Sequence, residues 1–140
     1  MSRGDFFTLE RKKVTIYSDF LTSFDRNPTT DNLAINTNEA AVKRSLRNIV
    51  LTTCGERFYD SNKGTKIKGS LFELFDPASV EIMRLQLKEA IGKYEPRANP
   101  VNIEFAENID GNSFSVQITF GIVNILDSIY SLEVNIKKIR

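Results

Sequence analysis

Apolar and polar positions alternate through most of the last third of the chain. Val101, Ile103 and Phe105 open the pattern, and Asp110-Gly111 supplies a hairpin signal. Phe114, Val116, Ile118, Phe120 and Ile122 continue it, as do Tyr130, Leu132, Val134 and Ile136 beyond a turn near 124–128. A period of two over three runs predicts a three-stranded antiparallel meander with one buried face. Earlier in the chain the period lengthens to that of a helix. Val42, Leu46, Ile49 and Val50 form a stripe over 38–52, opposite Lys43, Arg44 and Arg47. Asn36 followed by Glu39 resembles a capping box for this helix.

A longer helix starts at Asp76-Pro77, an N-cap aspartate with proline at the first helical position. Val80, Met83, Leu87, Ile91 and Tyr94 make its apolar face, broadened by Ile82, Leu85 and Ala90, with Glu89 and Lys93 as a supporting pair. Ser70 to Phe75 reads as a short apolar helical turn, and Val14 to Tyr17 as a short strand. The expected class is α+β: the C-terminal meander packed by two main helices, in one domain over 36–140. Residues 1–35, rich in turn formers from Asp25 to Asn32, are expected to form an irregular N-terminal arm. The last strand, within 128–138, ends in Lys137-Lys138 and reads as a sheet edge.

The chain has 140 residues, 19 basic against 18 acidic side chains and a net charge of +1. That balance favours neither nucleic acid nor an anionic membrane as partner. No apolar run approaches the roughly 20 residues that span a bilayer, and the first residues do not resemble a signal peptide. Cys54 is the single cysteine, so no internal disulfide forms and a cytosolic site of synthesis is expected. Histidine is absent. That removes His-activated nucleophiles and the commonest zinc ligand, and no cofactor or metal is expected. Without a histidine partner Cys54 reads as a small buried thiol.

Two segments remain after the core is assigned. Gly55 to Ser70 is a loop poor in apolar residues, with Glu56, Arg57, Asp60, Lys63, Lys66 and Lys68. Tyr94-Glu95-Pro96-Arg97 falls where the long helix must stop, because Pro96 cannot continue it and biases Glu95 out of the α region. The corner is either a plain helix stop or a polar anchor, in which Arg97 offers a fork of donors and Glu95 a pair of acceptors.

Taken in order, several short motifs resemble the gene-25-like baseplate wedge family of contractile phage tails, to which a type VI secretion baseplate component is related. They are Ile16-Tyr17-Ser18-Asp19-Phe20, the run from Ala41 to Ile49, Leu51 to Arg57, Gly69 to Glu73, and the Glu95-Pro96-Arg97 corner. The resemblance implies a virion protein of the tail baseplate, six copies per particle, with other wedge proteins and the tail sheath as partners. It implies that Glu95, Pro96 and Arg97 grip the helical core bundle of the wedge. It also implies that the protein seeds the sheath. An edge strand carrying Tyr130, Leu132, Val134 and Ile136 is the expected sheath contact, through strand addition.

The family also carries a lysozyme-like label, which makes a muramidase the alternative. Glycoside hydrolysis needs two carboxyl groups, one with a raised pKa. The candidates are Glu56, Asp60, Glu73 and Glu95. Arginine close to Glu56 and Glu95 lowers a carboxyl pKa, the wrong direction for a general acid. Where relatives carry proline, phenylalanine and acidic residues, this loop reads Ser61-Asn62-Lys63-Gly64-Thr65-Lys66. No catalytic residue is therefore assigned. A nucleic-acid module could draw on Lys63, Lys66 and Lys68, but the balanced charge and absence of tryptophan oppose it.

Overall fold

A computed structural model describes residues 15–70, 76–108, 113–125 and 129–137. The chain divides into two compact units, Met1–Asn38 and Glu39–Arg140.

In the first unit, β1 (Ser18–Phe20) pairs antiparallel with β2 (Ile35–Thr37), Phe20 lying opposite Ile35. The connection is ordered locally. Asn27 N–H donates to the Asn32 carbonyl at 2.7 Å, Asp31 N–H donates back to Asn27 at 2.9 Å, and Arg26 pairs with Asp31. Strand β1 begins four residues later than the sequence pattern suggests, and Val14 lies outside the described residues. Asn36 sits within β2, so the capping box does not form. Asn38 closes the hairpin instead, its Oδ1 accepting from the backbone N–H groups of Ile16 (2.8 Å) and Tyr17 (3.1 Å). It does so at a φ of 43°, a conformation asparagine tolerates better than most residues.

The second unit is built on a one-sided sheet. Helix α1 (Glu39–Leu51) buries Ala41, Val42, Leu46, Ile49 and Val50, the expected stripe with one alanine added. A short α2 (Ile67–Ser70) follows, and the apolar turn expected beyond it falls at 71–75, outside the described residues. Helix α3 (Pro77–Tyr94) is capped by Asp76, whose Oδ1 accepts from Ser79 N–H at 2.6 Å. It buries Met83, Leu87, Ala90 and Ile91, whereas Ile82 and Leu85 face solvent. The expected face was drawn too wide because helical spacing alone does not fix the width of the buried stripe. Glu39–Lys43 and Glu81–Arg84 are helix ion pairs, while Lys93 lies over the Tyr94 ring, 5.1 Å from its centroid, rather than on Glu89.

Strands β3 (Ala98–Asn108), β4 (Ser113–Ile122) and β5 (Ile129–Lys137) form an antiparallel sheet in that order. The expected hairpin residues Asp110 and Gly111 lie outside the described residues, between the paired Asn108 and Ser113. Central β4 buries Phe114, Val116, Ile118, Phe120 and Ile122; Ile118 is flanked by Ile103 and Leu132, and Val116 by Phe105 and Val134. Helix α3 lies against β3, α1 against β5, and the two helices meet each other. The alternation in β3 is broken once. Pro100 pairs with Phe120 and Asn102 with Thr119, leaving Val101 as the extra residue of a bulge, 64% exposed rather than buried. Ile103 regains the core after the bulge, so the parity of inward residues switches within the strand.

The two sheet edges differ. On β3, Pro100 supplies no donor, the bulge interrupts the register, and Arg84 Nε from α3 donates to the Ile103 carbonyl at 2.9 Å. Strand β5 has neither proline nor register shift.

The loop between α1 and α2 is fastened at its base. Thr53 and Thr65 form a parallel bridge, and the Thr65 hydroxyl donates to the Val50 carbonyl at 3.2 Å in a buried site. Gly64 makes this closure possible: its φ is +129°, and a Cβ there would lie 2.5 Å from the Thr52 carbonyl oxygen. Gly64→Ala is therefore expected to lower the unfolding free energy by about 2–3 kcal/mol. Gly69→Ala, whose methyl would meet open space, should change it by less than about 0.5 kcal/mol. Urea denaturation of both variants checks the contrast.

Candidate functional site

The corner after α3 is assembled from four elements. Helix α3 ends at Tyr94, and Glu95 turns the chain at φ −136°, ψ 70°, its N–H donating to the Ile91 carbonyl at 2.8 Å. The Glu95 carbonyl accepts from Ala98 N–H at 3.1 Å, so a tight turn delivers the first residue of β3. Val123 N–H, just beyond β4, donates to the Arg97 carbonyl at 2.9 Å. From α1, Ser45 hydrogen-bonds the Glu95 carboxylate.

The two charged side chains of the corner face each other. Arg97 Nε donates to Glu95 Oε1 at 2.6 Å and Nη2 to Oε2 at 2.9 Å, a bidentate pair. Glu95 is 2% exposed and the Arg97 side chain 25% exposed, with Pro96 between them on the surface. Burial opposes ionisation of Glu95. The hydrogen bonds from Arg97 and Ser45, with the nearby guanidinium charge, outweigh it and hold the carboxyl below its ordinary value. A carboxyl so held is an ionised strut, not a proton donor. Sequence reasoning found Glu95, Pro96 and Arg97 together but missed Ser45, whose only signal was its place on α1 beside the buried Leu46.

The remaining candidate carboxylates do not gather there. Glu56 Oε2 accepts from Thr53 N–H at 2.9 Å and so fastens its own loop, Asp60 is exposed, and Glu73 lies outside the described residues. Among the described residues, no group of three or more acidic or cysteine side chains is placed to hold a metal ion. Cys54 is half-buried, with Sγ 3.8 Å from the Asn62 carbonyl. It lines a cleft of about 250 Å³ between the loop and α3, together with Lys66, Glu89, Lys93 and Tyr94.

The expected edge residues of β5 all lie on the strand's core-facing side. Leu132, Val134 and Ile136 are buried, and Tyr130 is half-buried, with its ring centroid 6.0 Å from that of Phe120 and 5.9 Å from Lys43 Nζ, which lies over it. These side chains fix the strand to the core. What β5 offers outward is its main chain, with exposed Ile129, Ser131, Glu133, Asn135 and Lys137 alternating along it.

The second unit is thus an α+β domain with an internally braced, buried carboxylate and a β5 edge that pairs with no other described strand. The family model for the baseplate wedge protein gp25 matches residues 36–124, and the chain belongs to that family. The baseplate wedge protein gp25 of Enterobacteria phage T4 is 25% identical over 96 residues, covering 69% of this chain and 73% of that one. A chain of the anti-feeding prophage baseplate superposes with a TM-score of 0.66 at 24% identity, over 79% of this chain and 89% of that one. A candidate tail lysozyme from Geobacter sulfurreducens also gives 0.66, at 19% identity over 75% and 96%; at that distance the likeness is one of fold. The protein is a baseplate component of contractile tail particles, and no described helix is long and apolar enough to cross a membrane.

Because the folded-state pKa of Glu95 is depressed, the stability it contributes is complete above the ordinary value of 4.5 and is lost as pH falls through the folded value. Arg97→Ala leaves a buried carboxylate without its cation and is expected to cost about 3 kcal/mol at pH 7. In that variant burial acts with less opposition, so Glu95 takes up its proton at higher pH. The stability gap between wild type and variant should therefore narrow below about pH 4.5. Thermal denaturation of both proteins from pH 7 to pH 3 measures it.

Proposed function

We propose that the protein is a structural element of the baseplate wedge, binding the wedge's helical core bundle at the Pro96–Arg97 corner and receiving the tail sheath along β5. The observation that carries this reading is the asymmetry of the sheet. Nine residues of β5 run in unbroken register with β4, while the opposite edge on β3 is blunted by Pro100, the Val101 bulge and Arg84. An extended sheath segment added to β5 would gain main-chain hydrogen bonds without displacing any described strand. Six copies per baseplate accord with the six-fold symmetrised anti-feeding prophage baseplate, in which the similar chain occurs.

At the corner, Glu95 acts indirectly. Being buried, it orients Arg97, and the partner meets Pro96 and the exposed edge of the guanidinium. The reading is non-enzymatic. Glu95 is ionised and braced, and Glu56 is bound to a backbone N–H, so neither is disposed as a general acid.

The corner is tested with Glu95→Ala/Arg97→Ala, which removes both charges together, so that neither stays buried without its counter-ion and only the Ser45 hydroxyl loses an acceptor. Tagged wild type and variant are compared in pull-downs from infected lysate, with circular dichroism to confirm folding. Loss of the other wedge proteins by a folded variant is expected; equal recovery would confine the pair to an internal role.

The edge is tested by proline substitution at each residue from Ser131 to Asn135. Alternate residues of an edge strand direct N–H outward, so alternate variants should stay folded yet fail to support sheath polymerisation, while the others lose stability. Folded variants that polymerise sheath normally would remove β5 from the contact.

A further inference from the structure

Neither the corner nor the β5 edge makes use of Phe58 and Tyr59. The two residues are neighbours in the loop between α1 and α2, at 102% and 106% exposure, so no other described part of the chain covers either. Isolated apolar residues on a surface are ordinary. Adjacent aromatics that no described residue covers, on a loop that is itself fastened, are not accounted for by the packing of the described fold.

The fastening is extensive. Gly55 N–H donates to the Ser61 carbonyl at 2.6 Å, Cys54 N–H to Thr65 at 3.3 Å, Thr65 N–H to Thr52 at 2.9 Å, and Lys63 N–H to Asp60 at 3.1 Å. Glu56 ties back to Thr53 N–H at 2.9 Å, and Gly64 lets the closing strand pass against Thr52. The rings therefore project from a closed base, and ordering them on a partner requires little further loss of loop freedom.

The segment that carries them is net basic. Arg57, Lys63, Lys66 and Lys68 share the segment with Glu56 and Asp60, and the Glu56 carboxylate is already engaged by Thr53 N–H. Lys63 and Lys93 both lie over Tyr94 at the foot of the loop, 5.8 and 5.1 Å from its centroid.

We infer that Phe58 and Tyr59 insert as a pair into an apolar pocket with an acidic rim on a neighbouring baseplate protein. Each ring can bury roughly 150–250 Å², and aromatic side chains in such pockets are the usual energetic centres of interfaces. The basic residues supply orientation and salt-sensitive attraction to the rim. The inference rests on membership of the baseplate and on neither surface assigned above.

Phe58→benzoylphenylalanine, irradiated in assembled tail particles, reports what the ring touches. Crosslinking is expected to one baseplate protein other than this chain, through a peptide containing apolar and acidic residues. Phe58→Ala/Tyr59→Ala should keep the melting temperature of wild type. It should bind a wedge complex prepared without this chain at least about 30-fold more weakly, and the wild-type affinity should fall as salt rises.

Crosslinking to a second copy of this chain, to sheath or to nucleic acid would overturn the inference, as would intact particles that give no crosslink. Unchanged wedge affinity in the double alanine variant would do the same. So would ring-dependent binding to anionic phosphatidylserine vesicles without ring-dependent binding to the wedge. The Glu95→Ala/Arg97→Ala protein carries the same loop, so loss of wedge capture there with retention of the Phe58 crosslink separates the two surfaces.

Discussion

One buried carboxylate organises the second unit of this protein. Glu95 ends α3, opens the turn into β3, accepts both prongs of Arg97 and is bonded by Ser45 from α1. The backbone of Arg97 in turn receives Val123 beyond β4. A glutamate at 2% exposure is tolerated in such a place only because its acceptors are taken up by donors at good geometry. The apolar core by itself fixes which faces meet. The brace adds a directional constraint on how the helix, the turn and the strand join.

Much of this was legible in the residues, and the exceptions have physical causes. The stripe from Val42 to Val50, the Asp76-Pro77 start of α3 and the β4 and β5 alternations are strong periodic or capping signals, and all appear where the pattern puts them. Val101 was misassigned because a bulge changes the parity of a strand without changing its composition. Ile82 and Leu85 were misassigned because apolar residues on a helix flank can be left outside the stripe that packs. Asn36 looked like a cap, but the strand pairing of Ile35–Thr37 took it, and Asn38 found its partners twenty-two and twenty-one residues back. Such long-range pairing leaves no local trace.

The corner shows a different limit. Its residue types announced a polar anchor and its proline announced a stop, and both are present. What the sequence could not convey is direction: the donors of Arg97 and the acceptors of Glu95, two residues apart, are turned upon each other. An i, i+2 pair closes this way only because the intervening Pro96 bends the chain, and the third partner, Ser45, comes from a helix fifty residues earlier.

The unequal edges of the sheet bear on solubility as well as on assembly. A fibre of stacked sheets requires every molecule to receive a strand on one side and donate one on the other. Here the β3 side is closed by a proline, a bulge and an arginine reaching down from α3. Through this sheet, edge pairing between copies is therefore favoured only where β5 meets β5. For copies outside a particle, the backbone of this sheet thus works against polymerisation, independent of any charge on the surface.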